Sequence, residues 1–279
     1  MLLDVHGHAT YCYTGGKTFN TAQPTVVFVH GVLNDHSVWI LQTRYLAHHG
    51  WNVLAVDLPG HGKSAGDAPD SVEAAASFIS ALLDAAGLAH VALVGHSWGS
   101  LIALQVASNQ PGRVSHLAMV GTAFPMSVSP ALLDMSLHHP FKAIDRVNQF
   151  SHSMLAPPPS AMGPGTWLYG TAKALMRRVL ASNPAVNVFH RGFSACDRYT
   201  HGLAAMAQVN CPVLFVLGQD DQMTPPKAAQ SLVNAAVRGR VLNVKAGHQL
   251  MLEAPDAVAL GLAEFLSQSR EPPATGAIN

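Results

Sequence analysis

Short apolar runs decide the architecture. VVFVH (26–30), NVLAVD (52–57), HVALVG (90–95), HLAMVGTA (116–123), PVLFVLG (212–218) and RVLNVKA (240–246) alternate with longer Ala-rich stretches of helical spacing. A run dominated by apolar residues reads as a strand covered on both faces, and parallel strands require helical crossovers between them. The expected class is therefore α/β, a mostly parallel central sheet of about eight strands with helices on both faces. Upstream, LLDVHGHATYCYTG (2–15) reads as two edge strands around a short His-Gly-His turn.

Helices are expected near 36–49, 71–87, 98–109, 225–237 and 255–268. Start signals support them: Asp70 or Ser71 with Glu73, then Pro225-Pro226 and Pro255-Asp256. The alternation fails between Pro125 and His201, where Met, Pro and aromatic residues replace any strand pattern. The expected organisation is a core of 1–124 and 206–270, a helical cap at 125–205 and a disordered tail at 271–279. Within the cap, the Pro- and Gly-rich stretch 156–165 reads as a surface connection.

Composition narrows the partners. Sixteen Lys plus Arg against sixteen Asp plus Glu leave no net charge to attract nucleic acid or an anionic membrane. No apolar run reaches the roughly 18–20 residues of a membrane span, and the N-terminus carries no basic segment leading into an apolar stretch. Cys12, Cys196 and Cys211 form no CxxC pair, which argues against a disulfide framework and a thiolate metal site. A soluble, cytoplasmic chain is expected, without membrane insertion; oligomeric state leaves no signal.

The apolar run at 90–95 breaks at Gly95-His96-Ser97-Trp98-Gly99 and resumes with helical periodicity. A serine on a sharp strand-to-helix turn projects its hydroxyl at the carboxyl edge of the sheet, where open α/β folds bind ligands. Serine is a weak nucleophile at neutral pH and needs a base, and the base needs an orienting group. Among sixteen histidines, His248 follows the last expected strand and precedes a helix, so it lies at the same edge. His96 reads as packing beneath the serine, while His48-His49 and His138-His139 read as surface or packing residues. His6 and His8 lack further ligands for a metal set. Asp220 and Asp221 both follow the strand at 212–218 closely enough to reach a histidine on the next loop.

With the order Ser, acid, His, the chain resembles the α/β-hydrolase superfamily over roughly 20–123 and 210–268. The resemblance implies Asp221 as the acid, three residues after Gly218 and four before Pro225, with Asp220 as the fallback. It also implies an oxyanion hole from the backbone N–H groups of Val32, in the loop beginning His30-Gly31, and Trp98. Asn34 reads as a turn residue. Asp57-Leu58-Pro59-Gly60-His61-Gly62-Lys63-Ser64 matches a family loop and reads as a structural turn. Relatives that dehalogenate or open epoxides carry Asp at the elbow, whereas this chain carries Ser97.

The chemistry so implied is hydrolysis of a carboxylic ester of a small or medium apolar substrate through an acyl-enzyme, with no metal and no cofactor. Thioester, lactone, amide or C–C hydrolysis on the same three residues, or a non-catalytic receptor of this fold, are the alternatives. Met126, Trp167, Met223 and Leu250 are the expected substrate contacts. Met135, Met154, Met162, Tyr169, Phe189, Phe193 and Met206 are further apolar or amphipathic side chains in and around the cap. Arg177, Arg178, Arg191 and Arg198 read as solvated cations rather than carboxylate binders.

Overall fold

The computed structural model describes residues 1–20, 22–153 and 167–268. Chain order is β1 (Leu2–Val5), β2 (His8–Tyr13), β3 (Thr25–Val29), α1 (Ile40–His48), β4 (Asn52–Val56), α2 (Val72–Ala85), β5 (Val91–His96), α3 (Trp98–Asn109) and β6 (Val114–Val120). Then come α4 (Pro130–His138), α5 (Pro140–Ser151), α6 (Leu168–Ser182), α7 (Val188–Arg198) and α8 (Gly202–Met206). β7 (Val213–Gly218), α9 (Gln230–Ala235), β8 (Gly239–Val244), α10 (Leu250–Glu253) and α11 (Pro255–Leu266) complete it.

The strands form one eight-stranded sheet in the order β1-β2-β4-β3-β5-β6-β7-β8. The pairs β1/β2 and β2/β4 are antiparallel and the rest are parallel. Every residue of β3, β4, β5 and β7 is buried, as all-apolar runs demand when helices cover both faces. One face packs against α2, α3, α8 and α9, the other against α1, α10, α11 and the helices α4 to α7. α2 shows the cause locally: Ser71 accepts from the N–H of Ala74 at the helix start, and Val72, Ala75, Ala76, Ile79, Leu82 and Leu83 repeat at i, i+3, i+4 spacing and are all buried. The order reversal beside β5 places the end of that strand at the middle of the sheet's carboxyl edge.

The N-terminal hairpin turns on two residues with positive φ, His6 (+56°) and Gly7 (+79°), and Asp4 accepts from the Gly7 N–H at 2.8 Å. Other boundaries moved for local reasons. β6 stops at Val120 because Gly121 takes φ +56°, and the helices expected at 36–49 and 225–237 open as 3₁₀ turns. α10 was not expected. The boundary drawn at 205/206 falls within α8, whose Ala205 and Met206 are buried with the α3-side core.

Cys12, Cys196 and Cys211 are all buried, and burial pushes the Cys12 thiol up to about 12. Among the described residues, no helix is long and apolar enough to cross a membrane. The stretch 156–165, Met154, Met162 and the tail 271–279 lie outside the described residues.

Candidate active site

Crowding dictates the turn after β5. A Cβ on Gly95 would lie 2.1 Å from the carbonyl oxygen of Gly99, and one on Gly99 would lie 2.3 Å from that of Val29. Only glycine lets β3, β5 and α3 approach so closely. Ser97, between them, takes φ +53° and ψ −120°, a region that costs a non-glycine residue about 1–3 kcal/mol. Its N–H donates to Val120 O at 2.9 Å, and the Ser100 hydroxyl donates to its carbonyl at 2.5 Å. These two bonds hold the strained residue between sheet and helix.

The loop after β3 closes over this turn. A Cβ on Gly31 would meet His96 Nδ1 at 2.9 Å and Ser97 Cβ at 3.2 Å, so glycine permits the approach. Val32 and Ser97 line a common cavity. Trp98 opens α3, where first-turn N–H groups have no partner within the helix. Asn34 also lines the cavity, and its N–H closes a turn onto Gly31 O at 3.3 Å.

Of the two candidate acids, the structure brings Asp221 to His248: Asp221 Oδ2 lies 2.8 Å from His248 Nδ1. Asp220 is exposed, and its N–H donates to Ala246 O at 3.0 Å. Asp221 Oδ1 accepts from the N–H groups of Met223 and Thr224, both at 2.8 Å, and Oδ2 accepts from the Thr224 hydroxyl at 2.8 Å. Burial pushes this carboxyl up, but the His248 charge and the donors outweigh it and hold it at about 2. An ionised Asp221 fixes the proton on Nδ1 and leaves Nε2 as the basic nitrogen.

Contacts that the sequence did not reveal hold the His248 loop. His96 donates its Nε2–H to the His248 carbonyl at 2.9 Å. Burial, with the like charge of His248 second, pushes the His96 imidazole down to about 3, so it is neutral. The Glu253 carboxylate accepts from Gly247 N–H and Ser153 N–H, both at 3.0 Å, and Gln249 N–H donates to Ser151 O at 3.0 Å. The end of α5 is thereby stitched to the histidine loop. Thr224 was also missed, although an aspartate three residues before a threonine is a readable turn signal.

The cavity beside Ser97 and His248 measures about 30 Å³, room for about one water. Met223 lines it, together with Phe189 and Phe193 of α7 and Met176 of α6. The other three expected contacts lie elsewhere. Met126 is buried in the α3-side core, Leu250 is wholly buried against Gly121, and Trp167 is 60% exposed and stacked on Tyr169. A second cavity of about 850 Å³ opens between α4, α5, α6 and α7 and shares Phe193 and Met223 with the first. Tyr169 and Met135 line this larger space, whereas Met206 belongs to the α3-side core.

The remaining motif residues have structural partners. Asp57 Oδ1 accepts from His36 N–H at 2.7 Å, Oδ2 accepts from Lys63 N–H at 2.9 Å, and Ser64 Oγ accepts from Tyr11 N–H at 2.9 Å. Asp35, His36 and Asp57 bring ligand atoms within 4.8 Å of one another. The Asp35 and Asp57 oxygens are already engaged by Ser37, Arg178, His36 and Lys63, which accounts for the cluster without an ion. Arg178 pairs with Asp35, Arg191 and Arg198 donate to Ala68 O and Asp70 O, and Arg177 lies over Phe141.

The family model for the alpha/beta hydrolase fold matches residues 24–255. The chain is similar to a non-heme chloroperoxidase of Streptomyces lividans, 28% identical over 228 residues that cover 76% of this chain and 82% of that protein. It is also similar to a pimeloyl-(acyl-carrier protein) methyl ester esterase of Neisseria meningitidis, 28% identical over 267 residues that cover 90% and 96% of the two chains. Among solved structures, the enol-lactonase from Burkholderia xenovorans LB400 superposes with a TM-score of 0.81 at 19% identity, covering 96% of this chain and 100% of that one. That last likeness is one of fold.

Proposed function

The chain belongs to the alpha/beta hydrolase fold family, and on that premise we propose that it is a serine hydrolase cleaving a carboxylic ester through an acyl-enzyme. Ser97 attacks the acyl carbonyl while His248 Nε2 takes its proton. Asp221 fixes the imidazole tautomer and stabilises the imidazolium that forms. The N–H groups of Val32 and Trp98 hold the developing oxyanion. His248 returns the proton to the departing alcohol, then activates a water that releases the acid and restores Ser97. The curated relative named as a methyl ester esterase supports an ester as the bond broken.

The observation that carries the reading is the 2.8 Å contact between Asp221 and His248 beside a serine in a strained turn. A buried carboxylate oriented on an imidazole beside a serine is the arrangement that acyl transfer requires. The test is turnover of p-nitrophenyl butyrate with a pre-steady-state burst, compared with Ser97→Ala. A burst lost in the variant supports the acyl-enzyme. Absence of Ser97-dependent turnover on esters overturns the reading, and absence on thioesters, lactones, amides and activated C–C bonds as well favours a receptor.

A further inference from the structure

Two exposed cations of α5, Lys142 and Arg146, line the larger cavity. α5 turns Lys142, Arg146 and Gln149 toward it at i, i+4 and i+7 spacing, so they share one face of the helix. Two like charges at i, i+4 repel each other. Asp145, also in the lining, is ion-paired with Lys173 of α6. Among the described residues, Lys142 and Arg146 form no ion pair. The Arg146 guanidinium sits 4.9 Å from the Phe150 ring centroid, and stacking of this kind orients its planar fork for a carboxylate.

The rest of the lining includes apolar Leu132, Met135, Phe150, Phe193 and Met223. Phe193 and Met223 line both cavities and so stand at the boundary between Ser97 and this space. A chain whose carbonyl is held at Ser97 and whose apolar body passes these two residues ends near the α5 cations.

We propose that Lys142 and Arg146 form an anion subsite, and that the substrate is an amphipathic ester bearing a carboxylate at the end of its acyl chain, distal to the scissile carbonyl. This rests on the ester-hydrolase reading above and adds the substrate class to it. The subsite supplies specificity; the reacting atoms are those at Ser97.

The test compares p-nitrophenyl half-esters of dicarboxylic acids with chain-matched monocarboxylic esters, over a graded series of chain lengths. It uses the wild-type chain and the double variant Lys142→Gln/Arg146→Gln. The readout is the ratio of kcat/KM for charged over neutral ester, which cancels any general loss of activity. In the wild type the ratio should peak at one chain length above about tenfold and fall with added salt. In the double variant it should drop at least about fivefold. A smaller drop, or a ratio that never exceeds one, overturns the subsite while leaving the hydrolase reading intact.

A binding arm separates the two claims. Methyl ketones ending in a carboxylate or in a methyl group are titrated calorimetrically into both proteins. Tighter binding of the charged ketone, lost in the double variant, upholds the subsite even if no ester is turned over. Equal binding of the two ketones to the wild type overturns it.

Discussion

His96 and His248 are joined by a hydrogen bond from a side chain to the backbone of the residue proposed to act as base: His96 Nε2–H donates to the His248 carbonyl at 2.9 Å. The bond is buried, and the two rings lie 4.7 Å apart between centroids. His96→Phe removes the donor and leaves a buried carbonyl without it, so the histidine loop loses an anchor. We expect kcat to fall about tenfold to a hundredfold with a smaller change in KM, and partial recovery in His96→Gln, which restores a donor. Steady-state kinetics on a p-nitrophenyl ester provide the check; equal activity of His96→Phe and wild type contradicts the positioning role.

The adjacent aspartates should separate cleanly. Asp221→Asn removes the charge that fixes the His248 tautomer, and kcat should drop by about 10³–10⁴. Asp220→Asn alters an exposed side chain and should stay within about twofold. Because Asp221 is held at about 2, its protonation does not set the acid side of the pH–rate profile above about pH 3. An Asp220 variant as crippled as the Asp221 variant assigns the acid wrongly.

Stability should fall on acidification for a definable reason. The imidazoles of His61 and His96 are pushed from 6.5 down to about 3, first by burial and then by a neighbouring imidazole, His30 for one and His248 for the other. Between these values the unfolded chain binds protons that the folded chain refuses. The stabilisation is therefore full above 6.5 and is lost as pH falls toward 3. Each group raises the unfolding constant by up to about tenfold per pH unit. Urea midpoints measured from about pH 7 to about pH 4 should decline steadily; a flat series contradicts the sign.

Met223 lines both cavities, and truncating it should open one toward the other. Met223→Ala should raise kcat/KM for bulky or long acyl esters relative to acetate by about threefold to tenfold. A chain-length series reads this directly. Unchanged selectivity contradicts this opening.

Much of the frame was legible because it follows from one-dimensional pattern. Strands buried on both faces are apolar throughout, as β3 and β5 are, and the glycines at 95 and 99 announce a close approach whose distances bear it out. Contacts that depend on direction were not legible. Asp220 and Asp221 are sequence neighbours that a turn sends different ways. Glu253 reaches Ser153 across 100 residues and His96 reaches His248 across 152. The cap shows the same limit. Periodicity tells which face of a helix is apolar but not what it meets, so Met126 belongs to the core and Trp167 is exposed, while Phe189 and Phe193 face Ser97.

The central claim, that Ser97 is the nucleophile, is tested most directly by covalent labelling with a fluorophosphonate followed by mass mapping of the adduct. One adduct on Ser97 is the expected result, absent in Ser97→Ala and slowed in Asp221→Asn. An adduct on any other residue, or failure of the folded wild-type chain to react at all, contradicts it.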